Sequence, residues 1–434
     1  MTDFGSSSQA ISKKLSLLLG LTLILLACKT KLEVIQLGSG SARIVPFKSP
    51  YKLSSSGNGH ILKRSFTSSC LDVDQYQHDN KKPYLNRMKT IRVNMHFVNS
   101  LDSANNFNAD KGIQFAKDFI YQANRKLRDN KQMNLPEGNS TLIHPISYRY
   151  QLTSAKSDPR DAGVYFHYVE DPFFRNFGRD KNNYDKKLIN QYAVDPDSVL
   201  NIFYMVHPPD SIQSKTYRAK PAGIALGNSV KLGVNGLKDA RPWTYTGLLN
   251  HEIGHVLGLS HTWKGGDGCD DTPNHSNCWN SGPVPCNGII SNNVMDYNSL
   301  QTAFTPCQIA KTNRTLGNRK SSKRKLLKED WCEHEAAEDI VILDTVTWNR
   351  HVDFKGNITI EKNGVLIVGC SVSMAENSRI HVKAGGHLVL SRATLFNDCD
   401  FEWNGITVES YRKDVGLVSY IDTFYIENVV VIAD

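Results

Sequence analysis

Phosphate-cradling glycine loops are absent from the 434 residues, and so is a Gly-x-Ser-x-Gly nucleophile elbow. Kinase and serine-hydrolase chemistry therefore has no support. The chain also lacks a convincing membrane span. The apolar run from Leu15 to Ala27 is too short to cross a bilayer comfortably and follows Lys13 and Lys14, as a signal-peptide core does. Charge of one sign is scarce as well: the formal net charge is only +8. Much of that excess sits in the run Arg319-Lys320-Ser321-Ser322-Lys323-Arg324-Lys325, which has no interleaved aromatics and no nucleic-acid motif. It reads as a solvated face or linker, and no nucleic-acid partner is expected. At 40 % hydrophobic residues and this length, two folded parts are expected.

What is present is concentrated in His251-Glu252-Ile253-Gly254-His255-Val256-Leu257-Gly258-Leu259-Ser260-His261. His251 and His255 are four residues apart, so on a helix their side chains lie one turn apart on one face and can grip one metal ion. Glu252 stands between them, able to take a proton from a metal-activated water without being a ligand. Gly258 can adopt positive φ and end the helix, letting His261 swing back as a third ligand. Three protein ligands leave a fourth tetrahedral position open, the mark of a catalytic rather than a structural zinc.

Farther on, Ser291-Asn292-Asn293-Val294-Met295-Asp296-Tyr297-Asn298 has the form of a methionine turn. Together the two segments are the signature of the metzincin metalloproteases. Within them, His261-Thr262-Trp263, Asp267-Gly268-Cys269-Asp270-Asp271-Thr272-Pro273, Asn277-Cys278, Cys286, Met295-Asp296-Tyr297 and Phe304-Thr305-Pro306-Cys307-Gln308 resemble the pappalysin (cytophagalysin-type) family. The resemblance is dense from Trp243 to Lys311 and looser back to Lys89. It implies that His251, His255 and His261 carry zinc, that Glu252 is general base and then acid, and that Met295 floors the metal. It also implies that the Tyr297 phenol can approach the metal or the developing oxyanion. For the cysteines it implies Cys269 with Cys286 and Cys278 with Cys307, although spacing alone allows three connectivities.

The N-terminal run ends Leu25-Leu26-Ala27-Cys28, which resembles the lipobox of bacterial lipoproteins; ordinary signal-peptidase cleavage and an uncleaved anchor are the alternatives. Either way the expectation is an exported chain, in the cell envelope or secreted, with membrane contact through the lipid. Setting Cys28 aside leaves Cys70, Cys269, Cys278, Cys286, Cys307, Cys332, Cys370 and Cys399, an even number expected to be mostly disulfides in an oxidising compartment. Cys70 lies in a polar stretch ahead of the first strand. It reads either as a pro-segment thiolate that fills the open zinc position or as a disulfide partner, Cys332 being one candidate.

The expected fold class is α+β. Lys89 to Val98 alternates as a half-buried strand, and Asp110 to Leu127 carries apolar residues at helical spacing. Ser147 to Leu152, Gly163 to Tyr168 and Val199 to Val206 read as strands, and Asp171 to Lys187 as loop. The zinc helix should run from near Trp243, capped by Thr244 or Thr246, to Gly258. Gly265 to Asp271 reads as a calcium loop or as a solvated turn. From Thr345, apolar pairs such as Ile358 with Ile360 and Leu388 with Leu390 recur between Gly, Asn and Lys turns. They suggest a right-handed parallel β-helix, with a β-sandwich as the alternative. Trp403 to Val408 resembles a motif of envelope-associated β-solenoids. The expected division is 1–28 signal peptide with lipobox, 29–88 pro-segment or linker, 89–335 metzincin-like catalytic domain (twisted sheet plus active-site helix) and 336–434 β-solenoid-like domain. The last stops at Asp434 without a polar cap, so either a partner covers that end or the sequence is a fragment.

Two functional classes follow. One is a zinc endopeptidase acting on proteins or peptides. The other is a binding or adhesion protein built on an inactive protease scaffold, against which the intact Glu252 argues.

Overall fold

A computed structural model describes residues 44–46 and 70–434, apart from 103–105, 216–217, 237–240, 264–265, 276–277, 281–285, 400, 412–413, 422–423, 427–431 and 434. The expected signal peptide, lipobox, most of the pro-segment and the last residue at Asp434 lie outside the described residues. Among those described, no helix is long and apolar enough to cross a membrane.

Strand β1 (Ile44–Pro46) belongs to the C-terminal part. The preceding part is built on β2 (Lys89–Ser100), twelve residues long, with α1 (Ala109–Arg128) following it. One edge of β2 carries two parallel strands in succession, β3 (Tyr148–Leu152) on its first half and β4 (Val164–Val169) on its second. Its other edge pairs with β5 (Leu200–Val206), between the short helices α2 (Lys187–Tyr192) and α3 (Pro209–Gln213). The sheet ends with β6 (Ala222–Ala225), antiparallel to β7 (Ser229–Val234), which pairs with β5. The helix expected to carry the metal ligands is α4 (Thr246–Val256), and α5 (Pro306–Gly317) follows the methionine turn.

The alternation of β2 implies one wet face, but the strand is buried on both. Ile91, Val93, Met95 and Phe97 join the core under α1 and α4, while Val98 packs with Phe174, Phe203 and Met205 on the opposite side. The polar residues between them find partners inside the protein: His96 Nε2 lies 2.9 Å from Oδ1 of both Asn94 and Asn201, and His96 Nδ1 2.8 Å from His167 Nε2. A buried polar group that is hydrogen-bonded costs little, so polarity alone did not reveal exposure. α1 behaves as its periodicity demands. Asn108 accepts from Lys111 N at 3.1 Å as N-cap, and Ala116, Phe119, Ile120, Ala123 and Leu127 are buried.

The C-terminal part is a set of short parallel strands in three sheets. Thr345 pairs with Val365 and Val365 with His387; Val352 pairs with Val372; Ile340 pairs with Ile358 and Ile358 with Ile380. Successive partners are one chain repeat of about twenty residues apart, each repeat adding a strand to every sheet. Parallel pairing throughout these sheets departs from the antiparallel sandwich alternative. The apolar pairs all point inward: Ile358, Ile360, Leu366, Val368, Val372, Met374, Ile380, Val382, Leu388 and Leu390 are buried in one core. The repeats stack so closely that a methyl on Gly364 would lie 2.1 Å from Ile342 O and one on Gly386 2.5 Å from Ile360 O. β1 extends one sheet by pairing with Leu417–Tyr420.

Two corrections concern the junction of the parts. Arg324, expected on a solvated run, is buried: its guanidinium reaches Asp353 at 2.7 Å and Asp398 at 2.9 Å and lies over the Trp331 ring at 4.4 Å. The run thus ends in a clamp on the C-terminal sheets. Cys70 is bonded to Cys370, and Cys332 to Cys399. Cys70 is therefore neither a zinc latch nor the partner of Cys332. Its segment is held against α5 and the C-terminal part through Tyr76, whose hydroxyl donates to Cys70 O at 2.9 Å and accepts from His351 N at 3.1 Å.

Candidate metal centre

α4 begins at Thr246, later than expected, and neither threonine caps it: Tyr245 is the N-cap, and the Thr246 hydroxyl donates to Trp243 O at 3.0 Å. Leu249, Ile253 and Val256 anchor one face in the core, and Asn250 Nδ2 donates to Ala123 O of α1 at 3.3 Å. The opposite face presents His251 and His255. Gly258 has φ of +91°, and the turn it makes does two things. It brings His261 back towards the helix, and it turns Leu259 O to accept from His255 Nδ1 at 2.8 Å. His251 Nδ1 donates to Val294 O at 2.7 Å.

Those carbonyls can only accept, so the protons of His251 and His255 sit on Nδ1 and their Nε2 lone pairs face inward. The three Nε2 atoms lie 3.1, 3.1 and 3.3 Å apart. Lone pairs crowded together in this way repel unless a cation lies among them. Nitrogens about 2.0–2.1 Å from one tetrahedral ion stand at roughly this separation. Burial lowers the pKa of His251 to about 3 and that of His261 to about 4, the neighbouring His255 adding to both. Imidazoles held neutral are ready ligands. The donor set fits a divalent ion of the zinc type, held by His251, His255 and His261.

Glu252 is buried beside them, and desolvation pushes its carboxyl up to about 8 against a hydrogen bond from the Ala225 main chain. It lies flat against β6: a methyl on Gly223 would come within 2.5 Å of Glu252 Cγ. Gly223 was not anticipated from the sequence, since an isolated glycine ahead of the zinc motif carries no spacing signal. Met295 is fully buried and passes under the helix where Gly254 has no side chain, a methyl there lying 2.6 Å from its sulfur. Tyr297 is 54 % exposed, with ring centroids 4.9 Å from His261 and 5.9 Å from His251. Burial of the rest of the ring raises its phenol pKa, and the Glu252 charge adds to that.

The loop cysteines pair differently from the expectation: Cys269 with Cys307 and Cys278 with Cys286. The reason is the first turn of α5. Asp271 accepts from Thr305 Oγ1 at 2.7 Å and Cys307 N at 2.9 Å, and Asp267 accepts from Gln308 Nε2 at 2.9 Å. These bonds draw Cys269 onto Cys307 and leave Cys278 to close a short loop with Cys286. They also commit the carboxylates of Asp267 and Asp271 to protein donors. Sequence reasoning further missed the partners of Asp296. Its buried carboxylate accepts from the Thr262 and Ser291 hydroxyls and from His275 Nε2 at 3.1 Å.

Fold and site together define a metalloprotease-like arrangement. Residues 183–317 match the Peptidase_M43 family, described as Pregnancy-associated plasma protein-A, so the chain carries a pappalysin-like metalloprotease segment. That match runs from just before α2 to the end of α5, and takes in every histidine of the centre. No curated protein matches the chain. Among solved structures, mirolysin in complex with compound 9 is 18 % identical, covering 55 % of this chain and 96 % of that one at a TM-score of 0.41. Mature mirolysin of Tannerella forsythia with a cleaved peptide is 18 % identical, with coverages of 55 % and 95 % and a TM-score of 0.40. A promirolysin mutant from the same organism is 17 % identical, with coverages of 62 % and 92 % and a TM-score of 0.41.

Proposed function

We propose that the chain is an exported, zinc-dependent endopeptidase of the pappalysin type that hydrolyses peptide bonds in proteins. The observation that carries this is the convergence of three Nε2 atoms, two with their Nδ1 protons locked on carbonyls, beside a buried carboxylate. Zinc, when bound, supplies Lewis-acid polarisation of the scissile carbonyl and acidification of water. Glu252 takes the proton of the attacking water on its carboxylate and passes it to the leaving amine. Tyr297, half exposed at the rim, donates its O–H to the carbonyl oxygen as charge develops there.

The leader and Cys28 support export, with a lipid anchor at the cell envelope. We read residues 29–88 as a leading segment, 89–335 as the catalytic domain and 336–434 as a right-handed parallel β-helix that serves as a spacer or a dock for substrate. The stacked repeats and close glycines support that reading of the C-terminal part.

Peptide-library cleavage by the full chain, with chelator and zinc add-back and beside Glu252→Ala, tests the proposal. Cleavage abolished by chelator, restored by zinc and missing in Glu252→Ala is the expected result. Zinc-loaded protein that cleaves nothing, or a zinc-loaded Glu252→Ala that cleaves normally, overturns it.

A further inference from the structure

We infer that Asp296 is the positioning residue for the third metal ligand, acting on His261 through Thr262. The inference rests on the metalloprotease reading above. His251 and His255 ride on a helix, and each has its Nδ1 proton anchored on a main-chain carbonyl. His261 stands beyond Gly258 in irregular chain, and no such anchor for its Nδ1 lies among the described residues. Something else must fix its backbone if three nitrogens are to stay in register.

That fixing comes from the next residue. The Thr262 hydroxyl donates to Asp296 Oδ1, and both side chains are buried. Asp296 Oδ2 accepts from the Ser291 hydroxyl and from His275. The tautomer of His275 is set from its other side: its Nδ1 accepts from Cys278 N at 3.2 Å, so its proton sits on Nε2 and points at the carboxylate. Three donors from three segments therefore converge on one carboxylate. Thr262 follows the third ligand, His275 lies in the segment spanned by the Cys269–Cys307 disulfide, just ahead of Cys278, and Ser291 opens the methionine turn.

Asp296 itself lies between Met295, which packs under α4, and Tyr297, which stands over His261. One carboxylate thus sets the loop ligand relative to the methionine and the tyrosine. On the other side of His261, Trp263 stacks on the ring at 4.9 Å and 13°, which orients the imidazole plane but leaves it able to slide. The hydrogen bonds stop the slide. Supporting groups of this kind commonly change metal affinity by about 10–100-fold when removed.

The test is zinc affinity of the full chain, by competition with a chromogenic chelator, together with the visible spectrum of the cobalt-substituted protein. Thr262→Val keeps the side-chain shape and removes only the hydroxyl. It should bind zinc about 10–100-fold more weakly and change the cobalt bands. Thr262→Ser, which keeps the hydroxyl, should restore both. Asp296→Ala should lose at least as much as Thr262→Val, and folding of the threonine variants keeps the test decisive if Asp296→Ala does not fold. Wild-type zinc affinity and an unchanged cobalt spectrum in Thr262→Val overturn the positioning role alone. Failure of the wild-type chain to bind zinc overturns the metalloprotease reading, and the positioning role with it.

Discussion

The two sides of the metal centre are built in different ways. On the helix side, His251, Glu252 and His255 are placed by α4, whose backbone sets their spacing and whose apolar face is sunk in the core. On the loop side, from Leu259 to Thr305, regular structure is sparse among the described residues, and order comes from two disulfides and from buried polar side chains. On the helix side the spacing of the three residues comes from near neighbours in the chain, and distant groups such as Val294 O and Gly223 only trim it. The loop side needs contacts across tens of residues, such as Thr262 with Asp296 and Asp271 with Cys307. A site made this way has one half that tolerates loss of distant contacts and one half that does not.

The largest effect expected falls on the helix side. Glu252→Ala should lower peptide hydrolysis by about 10²–10⁴-fold, from the loss of general acid-base catalysis, while bound zinc stays near one per chain. Metal analysis of the purified variant checks both halves of that statement. Next comes a residue outside both sides. Arg324→Met leaves the largely buried carboxylate of Asp353 and the solvent-facing one of Asp398 without their cation and should cost about 3 kcal/mol of stability. If the comparison is drawn correctly, zinc affinity measured well below the melting temperature stays unchanged; a large fall in affinity would tie the C-terminal clamp to the centre.

Replacing both Cys278 and Cys286 by serine should cost about 2–3 kcal/mol for a loop of this size. It should also weaken zinc binding, because Cys278 N holds His275 in the tautomer that faces Asp296. Helix content by circular dichroism should not change; melting of α4 together with the loop would erase the distinction between the two sides. The smallest effect is expected for Gly223→Ala. The added methyl crowds Glu252 Cγ, so kcat should fall about tenfold, or about 1.4 kcal/mol in barrier, with zinc affinity intact. Unchanged kcat would show that Glu252 is positioned by the helix alone.

Legibility followed the same division. The spacing of His251, His255 and His261, with glycine at 258, announced the centre because helix geometry converts a difference of four into one face. The helix α1 was legible for the same reason, and the strands around Tyr148, Val164 and Leu200 as β-branched or aromatic runs bounded by Asp, Pro and Gly. The edge hairpin β6–β7 and the helix α5 were not read at all: β7 carries a buried Lys231, whose ammonium donates to Asn182 O at 2.8 Å and Asp185 O at 2.6 Å, and so resembles exposed chain. Arg324 misled in the same way, since a cation inside a basic run looks solvated until its two aspartates are found. The C-terminal pairs were read correctly as buried because inward residues repeat every second position within each strand.

By itself, then, the sequence determined the make-up of the candidate centre: two imidazoles and a carboxylate at helical spacing, a third imidazole beyond Gly258, a methionine turn, and a second part made of short apolar pairs. Those are local patterns, set by covalent spacing and backbone geometry. Only the tertiary structure decided which cysteines meet, that Cys70 is bonded to Cys370, that Gly223 makes room for Glu252 and that Asp296 gathers Thr262, His275 and Ser291. Each of these depends on the approach of groups far apart in the chain, and spacing carries no information about such approaches until the core has packed.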